Sequence, residues 1–392
     1  MKSLREIVES SPQMRAAAMH SLRLEEEPQP LGPALWDWAG VRSVLVVRLR
    51  SIGDTVLTTP SLFALKRFLP QARVDILLED WVAPVLEGFS FVDNIITLKR
   101  GSATSRARVA RQLRSLRYDV AYNLHGGTTA TLLMRASGAK RRVGYAAYQY
   151  SRLYTHLAPS PLHLWKRSTT HSVEQQLALL GWTGVPVTDR PPTQLAVIEH
   201  AATSVGARLD SAGLNQQPPI AIIHPAAAYA TKQWATEKFA RVAEHLAECG
   251  FAVVAITAPS EAPIAAELKQ NSTAPIITFT DLSLPEVTAL ASRALLFVGN
   301  DSGIAHIAAA VGLPSVVVFG SSNTAHWSPW ATAPAEVVLE EMDCQPCHGY
   351  YCEKFAKPEC ILRVPEDRVI AAVDRILRAQ ENCGLEGRPG PA

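Results

Sequence analysis

Three short segments of the sequence combine residue types that can hold an anionic ligand or move a proton. The longest is FVGNDSGIAHIAAAVGLPSVVVFG, residues 297–320. An apolar run ends at Gly299, a polar turn of Asn300, Asp301, Ser302 and Gly303 follows, and a helical pattern begins. The first backbone N–H groups of a helix lack intrahelical partners and attract anions. Gly303 would let a phosphate approach the chain closely, and His306 shares its side of the helix. As plain structure, Asp301 or Ser302 would only cap that helix. The second segment is HPAAAYATKQWATEKF, residues 224–239, where small residues follow a strand and Lys232 and Trp234 precede a helix. Small residues at a strand's carboxyl end leave room for a ligand, and a lysine there can neutralise a diphosphate leaving group. The third is RLRSIGDTVLTTP, residues 48–60. Asp54 stands where a strand hands over to a helix, so it can cap the helix or act as a general base toward a hydroxyl nucleophile.

Two further clusters call for an explanation. The stretch KRGSATSRARVARQLRSLR, residues 99–117, has seven basic residues and no acid, and Arg108, Arg111 and Arg114 recur at three-residue spacing. That pattern fits a solvated helix face, or contact with anionic headgroups, acidic sugars or phosphates. The second cluster, CQPCHGYYCEKFAKPEC, carries Cys344, Cys347, Cys352 and Cys360. Four thiolates match the ligand count of a tetrahedral structural zinc or iron site, with His348 as a substitute ligand. Free thiols are the alternative, and the spacing is less regular than in paired C-x2-C motifs. No catalytic role is expected of this cluster.

These segments need strands and helices to position them. SVLVVRL (43–49) reads as a parallel strand buried on both faces. Further strands are expected at 73–80, 94–100 and 118–124, with helical patterns between them, as at 105–117. A proline-rich region, 183–219, marks a crossover near its start. The alternation then resumes with strands at 219–225, 251–257, 275–280, 295–300 and 314–320, and a final helix at 364–379. The expected organisation is an N-terminal extension (1–40) read as a short helix on a loose arm, a first Rossmann-like domain (41–182), a second Rossmann-like domain with the cysteine cluster (183–363), and a C-terminal helix and tail (364–392). At about 100–200 residues per domain, 392 residues suit two domains. The fold class is α/β, with two Rossmann-like parallel sheets facing a cleft.

Taken in order, LRSIGDTVLTTP, the HPAA…K-x-W segment and GNDSGIAHIAAAVGLPSVVVFG resemble glycosyltransferase family 9, the ADP-heptose:lipopolysaccharide heptosyltransferases, over roughly residues 43–380. The resemblance implies a GT-B fold and inverting transfer of heptose from a nucleotide-sugar donor to a lipopolysaccharide core acceptor. It implies that Asp54 is the catalytic base and Lys232 the diphosphate contact. Asp301, Ser302, Gly303 and His306 would form the donor turn and helix, and Glu261 would hold the nucleoside ribose. Arg108, Arg111 and Arg114 would then meet the acceptor. A related enzyme with a protein acceptor or another nucleotide sugar is one alternative. A sugar-nucleotide binding protein without turnover is another, and such a binder would have no need of Asp54.

Composition narrows the classes further. With 38 basic and 36 acidic residues the net charge is only +2, which argues against a nucleic-acid-binding protein. The 47% hydrophobic content supplies two cores. GxGxxG, a Walker A loop, GxSxG and HExxH are all missing. No Asp-x-Asp pair occurs either, which disfavours a divalent-metal clamp and leaves no cofactor expected for catalysis. The N-terminus lacks the apolar core of a secretory signal, and no apolar run would span a bilayer. A cytoplasmic protein, peripheral to the inner membrane face at most, is expected.

Overall fold

The structure is a computed structural model that describes residues 27–214, 218–347 and 350–382. The chain divides into two compact units, Met1–Ile198 and Glu199–Ala392. The first holds a six-stranded parallel sheet: β1 (Ser43–Val47), β2 (Arg73–Glu79), β3 (Asn94–Leu98), β4 (Val120–Asn123), β5 (Arg141–Tyr145) and β6 (His156–Ala158). Their order is β3-β2-β1-β4-β5-β6. Every residue of β1 is buried, as its unbroken β-branched run requires when helices cover both faces.

The second unit repeats the plan with β7 (Ile220–His224), β8 (Ala252–Ile256), β9 (Ile276–Phe279), β10 (Leu296–Asn300), β11 (Ser315–Phe319) and β12 (Ala335–Leu339). These lie in the order β12-β11-β10-β7-β8-β9. In each sheet the chain winds outward from the first strand in one direction, then returns to lay the fourth on its other side. The reversal falls between β1 and β4 in one unit, and between β7 and β10 in the other. Open α/β sheets bind ligands at such reversals, outside the carboxyl ends of the strands.

Three features bear on the expected organisation. The first part of the proline-rich stretch, residues 183–198, packs with the first unit, whereas Pro218 and Pro219 lie in the second. Thr183 bonds the buried Tyr122 hydroxyl, Asp189 pairs with Arg67, and the Gln194 N–H donates to Thr59. The described part of the N-terminal extension, residues 27–40, is not a loose arm, and only a 3-10 turn, Trp38–Gly40, forms in it. Leu31 N–H donates to Gly181, Val187 N–H to Gln29, and the Trp38 indole to Thr183 at 3.1 Å. Trp36 packs on Trp38 and lies under the Arg141 guanidinium. The apolar residues of the arm bind it down; residues 1–26 lie outside the described residues. Lastly, the Glu366–Asn382 helix is part of the second unit, where Val369, Ala372, Val373 and Ile376 join the core beside Trp234 and Phe239.

Candidate active site

In the first unit, β1 leads into Arg48 and then the short Ile52–Val56 helix, which carries Asp54. One carboxylate oxygen of Asp54 pairs with the Arg48 guanidinium, and the other accepts from the Ser51 N–H at 3.2 Å. Asp54 therefore does cap its helix, and it is also held in one orientation by a nearly buried cation. The other end of the Arg48 fork donates to the Leu124 carbonyl, which follows β4. Strands β1 and β4 are thereby tied together at the reversal. His125 comes next in the chain. Burial first, and the charges of Arg48 and Arg50 after it, push the imidazole down to about 4, against the pull of Asp54. It is neutral at pH 7.

In the second unit, His224 ends β7 and Asn300 ends the neighbouring β10. Asn300 accepts from the Trp234 N–H at 3.0 Å and donates to the Pro225 carbonyl at 2.8 Å. It thus fixes the 225–234 loop over the strand ends. Lys232, on the 3-10 turn Ala230–Lys232, pairs with Asp301 at 2.8 Å; Asp301 is 5% exposed and Lys232 25%. The Ser302 hydroxyl lies 3.3 Å from His224 Nδ1, and burial pushes that imidazole down to about 4. Ser302 precedes the Gly303–Ala310 helix, and its side chain makes no capping bond there. His306 is buried within that helix. A side chain at Gly299 would meet Phe297 at 2.7 Å and the His224 carbonyl at 3.1 Å, so the β7–β10 approach requires glycine. The structure thus gathers Lys232, Asp301 and Ser302 about the start of an eight-residue helix, where the first backbone amides have no intrahelical partner.

Glu261 follows β8 on the 3-10 turn Pro259–Glu261 and accepts from the Ala258 N–H at 3.0 Å. On the Ala103–Leu116 helix Ser105, Val109 and Leu113 face inward, leaving Arg108, Arg111 and Arg114 exposed. The Arg114 guanidinium occupies the space where a side chain at Gly138 would stand, and Gly138 has a φ of +70° that favours glycine. A cavity of about 240 Å³ in this unit is lined by Arg50 and, from the same basic stretch, Lys99, Arg100 and Arg106. Arg48, His125, His224 and Asn300 were not singled out as site residues. Their only signal in the sequence is a polar residue at or just after the end of a buried strand.

Among the described residues, no group of three His, Cys, Asp or Glu side chains is arranged to hold a metal ion, so the zinc or iron expectation finds no support. Cys344, Cys347, Cys352 and Cys360 are free thiols. Burial, and then the neighbouring Cys347, Cys344 and Cys352, push Cys360 up to about 11. His348 lies outside the described residues. Among the described residues no helix is long and apolar enough to cross a membrane.

Two successive Rossmann-type parallel sheets, each with polar groups at its reversal point, make up a GT-B architecture. Residues 106–356 match the family model of glycosyltransferase family 9 (heptosyltransferase), and the chain belongs to that family. It is 29% identical to lipopolysaccharide heptosyltransferase 3 of Escherichia coli, over 84% of this chain and 97% of that protein. Its fold is similar to that of a family 9 glycosyl transferase from Veillonella parvula (TM-score 0.75, 22% identity, 86% of this chain and 97% of that one). It is similar also to the E. coli ADP-heptose lps heptosyltransferase II (TM-score 0.72, 21% identity, 86% and 99%).

Proposed function

We propose that this glycosyltransferase moves a heptose from ADP-heptose to a lipopolysaccharide core acceptor, with inversion at the anomeric carbon and without a catalytic metal. The observation that carries the reading is the Lys232–Asp301 pair beside Ser302 at the start of the Gly303–Ala310 helix, where β7 and β10 part. In this reading the unit from Glu199 onward takes the donor and the unit up to Ile198 takes the acceptor. Lys232 and the helix amides meet the charge that gathers on ADP as its bond to the sugar breaks. Ser302, Gly303 and His306 shape the diphosphate end, Asp301 aligns Lys232 and faces the heptose hydroxyls, and Glu261 reaches the ribose. Asp54, aligned by Arg48, accepts the acceptor's hydroxyl proton as the new C–O bond forms, and the bonding pair to the old oxygen leaves with ADP. Support for the donor and acceptor comes from the relatives, named for lipopolysaccharide and, in one case, ADP-heptose. Such an enzyme works in the cytoplasm at the inner membrane face.

The test is a thermal-shift panel of ADP, UDP, GDP and CMP. A nucleotide at about 100 times its dissociation constant stabilises the native state by about 2.7 kcal/mol. Selective stabilisation by ADP is the expected outcome. Selectivity for UDP or GDP would keep the transferase and discard the heptose donor, and no shift with any nucleotide would overturn the donor reading.

A further inference from the structure

The strands of the second sheet set the order of groups along its carboxyl edge, and four of them run β11-β10-β7-β8. Under the donor reading the nucleoside end lies at β8, which Glu261 follows, and the diphosphate lies where β7 and β10 part, beside Lys232 and Ser302. A nucleotide sugar laid along the edge in that direction carries its glycosyl group toward β11, one strand spacing or about 4.8 Å further on. An aromatic pair stands there. The loop leaving β7 crosses the end of β10, where Lys232 pairs with Asp301, and reaches the end of β11, where the Thr231 carbonyl accepts from the Ser321 N–H at 3.2 Å. A side chain at Gly320 would strike that same carbonyl. The segment after β12 returns to this strand end: the Cys347 N–H donates to the Ser321 carbonyl at 3.0 Å, and the Gln345 amide to the Gly320 carbonyl at 2.6 Å. Tyr229 of the crossing loop and Tyr350 of the returning segment meet edge to face, their centroids 4.7 Å apart.

Both rings stay open to solvent, Tyr229 at 39% and Tyr350 at 65%, although the segments that carry them are tied down. The Lys232 N–H donates to the Tyr229 carbonyl at 2.9 Å, so the ring and the ammonium belong to one tight turn. Ahead of Tyr229 the loop is three alanines, 226–228, which leave the space over the strand ends free of other large side chains. A tyrosine ring has a negative face, offers a large apolar area and loses little rotamer freedom when held. Such a face suits the C–H side of a pyranose.

We propose that Tyr229 and Tyr350 form the platform for the sugar being transferred, one ring stacking on its C–H face. It rests on reading the second unit as the donor half. The pair holds the glycosyl group, whereas Lys232 and the helix amides hold the diphosphate. Fixing the ring next to Lys232 keeps the anomeric carbon beside the group that meets the leaving charge.

The test is calorimetric titration of ADP and of ADP-heptose into the full-length protein without acceptor. Tyr229→Ala and Tyr350→Ala should each bind ADP-heptose about 5- to 10-fold more weakly while ADP affinity stays within about twofold. Tyr229→Phe and Tyr350→Phe keep the ring and should recover most of the loss. A pair that only braces the Lys232 turn would instead lose ADP and ADP-heptose to the same extent, and that result would overturn the proposal. Unchanged ADP-heptose affinity in both alanine variants would overturn it as well. In either case, ADP binding by the wild-type protein leaves the donor reading standing. A wild-type protein that binds neither nucleotide would sink the donor reading and the proposal with it.

Discussion

Replacing Lys232 with alanine separates two roles that the structure gives it. Its ammonium lies 2.8 Å from Asp301, a carboxylate only 5% exposed. Removing one partner of a fully buried ion pair costs about 3–5 kcal/mol, mostly because the survivor stays charged and dry. The Lys232 end is a quarter exposed, so water replaces part of what is lost, and about 1–3 kcal/mol is expected. For a unit of this size each kcal/mol lowers the melting temperature by about 2–4 °C, so a fall of roughly 2–12 °C follows. The ligand effect is distinct. A charge-assisted hydrogen bond to a phosphate contributes about 1.5–3 kcal/mol, so ADP should bind roughly 10- to 150-fold more weakly. Adding Asp301→Asn removes the stranded charge. The double variant should recover most of the melting temperature without recovering ADP affinity. Differential scanning calorimetry and ADP titration on wild type, both single variants and the double variant complete the cycle. A Lys232→Ala protein that melts within about 1 °C of wild type and binds ADP equally well would refute both halves of the argument. Restored ADP affinity in the double variant would refute the direct phosphate contact.

Other perturbations test separate parts of the site. Asp54→Asn should lower kcat by about 10²- to 10⁴-fold in a transfer assay while ADP affinity stays within about twofold, and wild-type turnover would exclude Asp54 as the base. His125 and His224 are both held near 4, below the ordinary histidine value, so the unfolded chain binds their protons first as the pH falls. Their contribution to stability is complete above about pH 6.5 and is lost between about 6.5 and 4. Denaturant titrations at pH 7 and pH 5 should register the loss, and a His224→Asn protein should show a shallower slope across that window. Gly299→Ala puts a methyl group 2.7 Å from Phe297 and 3.1 Å from the His224 carbonyl, and the overpacking should cost about 1–3 kcal/mol in urea unfolding. A neutral result there would mean that the β7–β10 approach relaxes more easily than its packing suggests.

Much of this protein can be read from residue order alone. The buried strands β1, β7, β10 and β11 are legible because strands covered on both faces must be apolar throughout, and β-branched runs such as SVLVV and SVVVF have little else to form. Asp54, Lys232, Asp301 and Ser302 stand out as polar residues placed where a strand gives way to a helix. The strands β5, β6 and β12 were not anticipated: β5 opens with two arginines, β6 spans three residues, and β12 is mostly half-exposed, so none shows a buried run. A proline-rich stretch marks a break in the pattern but does not say which unit it will pack on.

What tertiary structure alone decided is which strand ends are neighbours. Strand order puts β10 beside β7, and only then do Lys232 and Asp301 pair and Ser302 meet His224. In the same way β4 beside β1 lets Arg48 span Asp54 and Leu124. The cavity of the first unit joins Arg50, from the end of β1, to Lys99, Arg100 and Arg106 of the basic stretch, a meeting that only the strand order brings about. Local periodicity records which face of an element is buried. It carries no record of which distant element covers that face, because that choice is made by the packing of whole sheets.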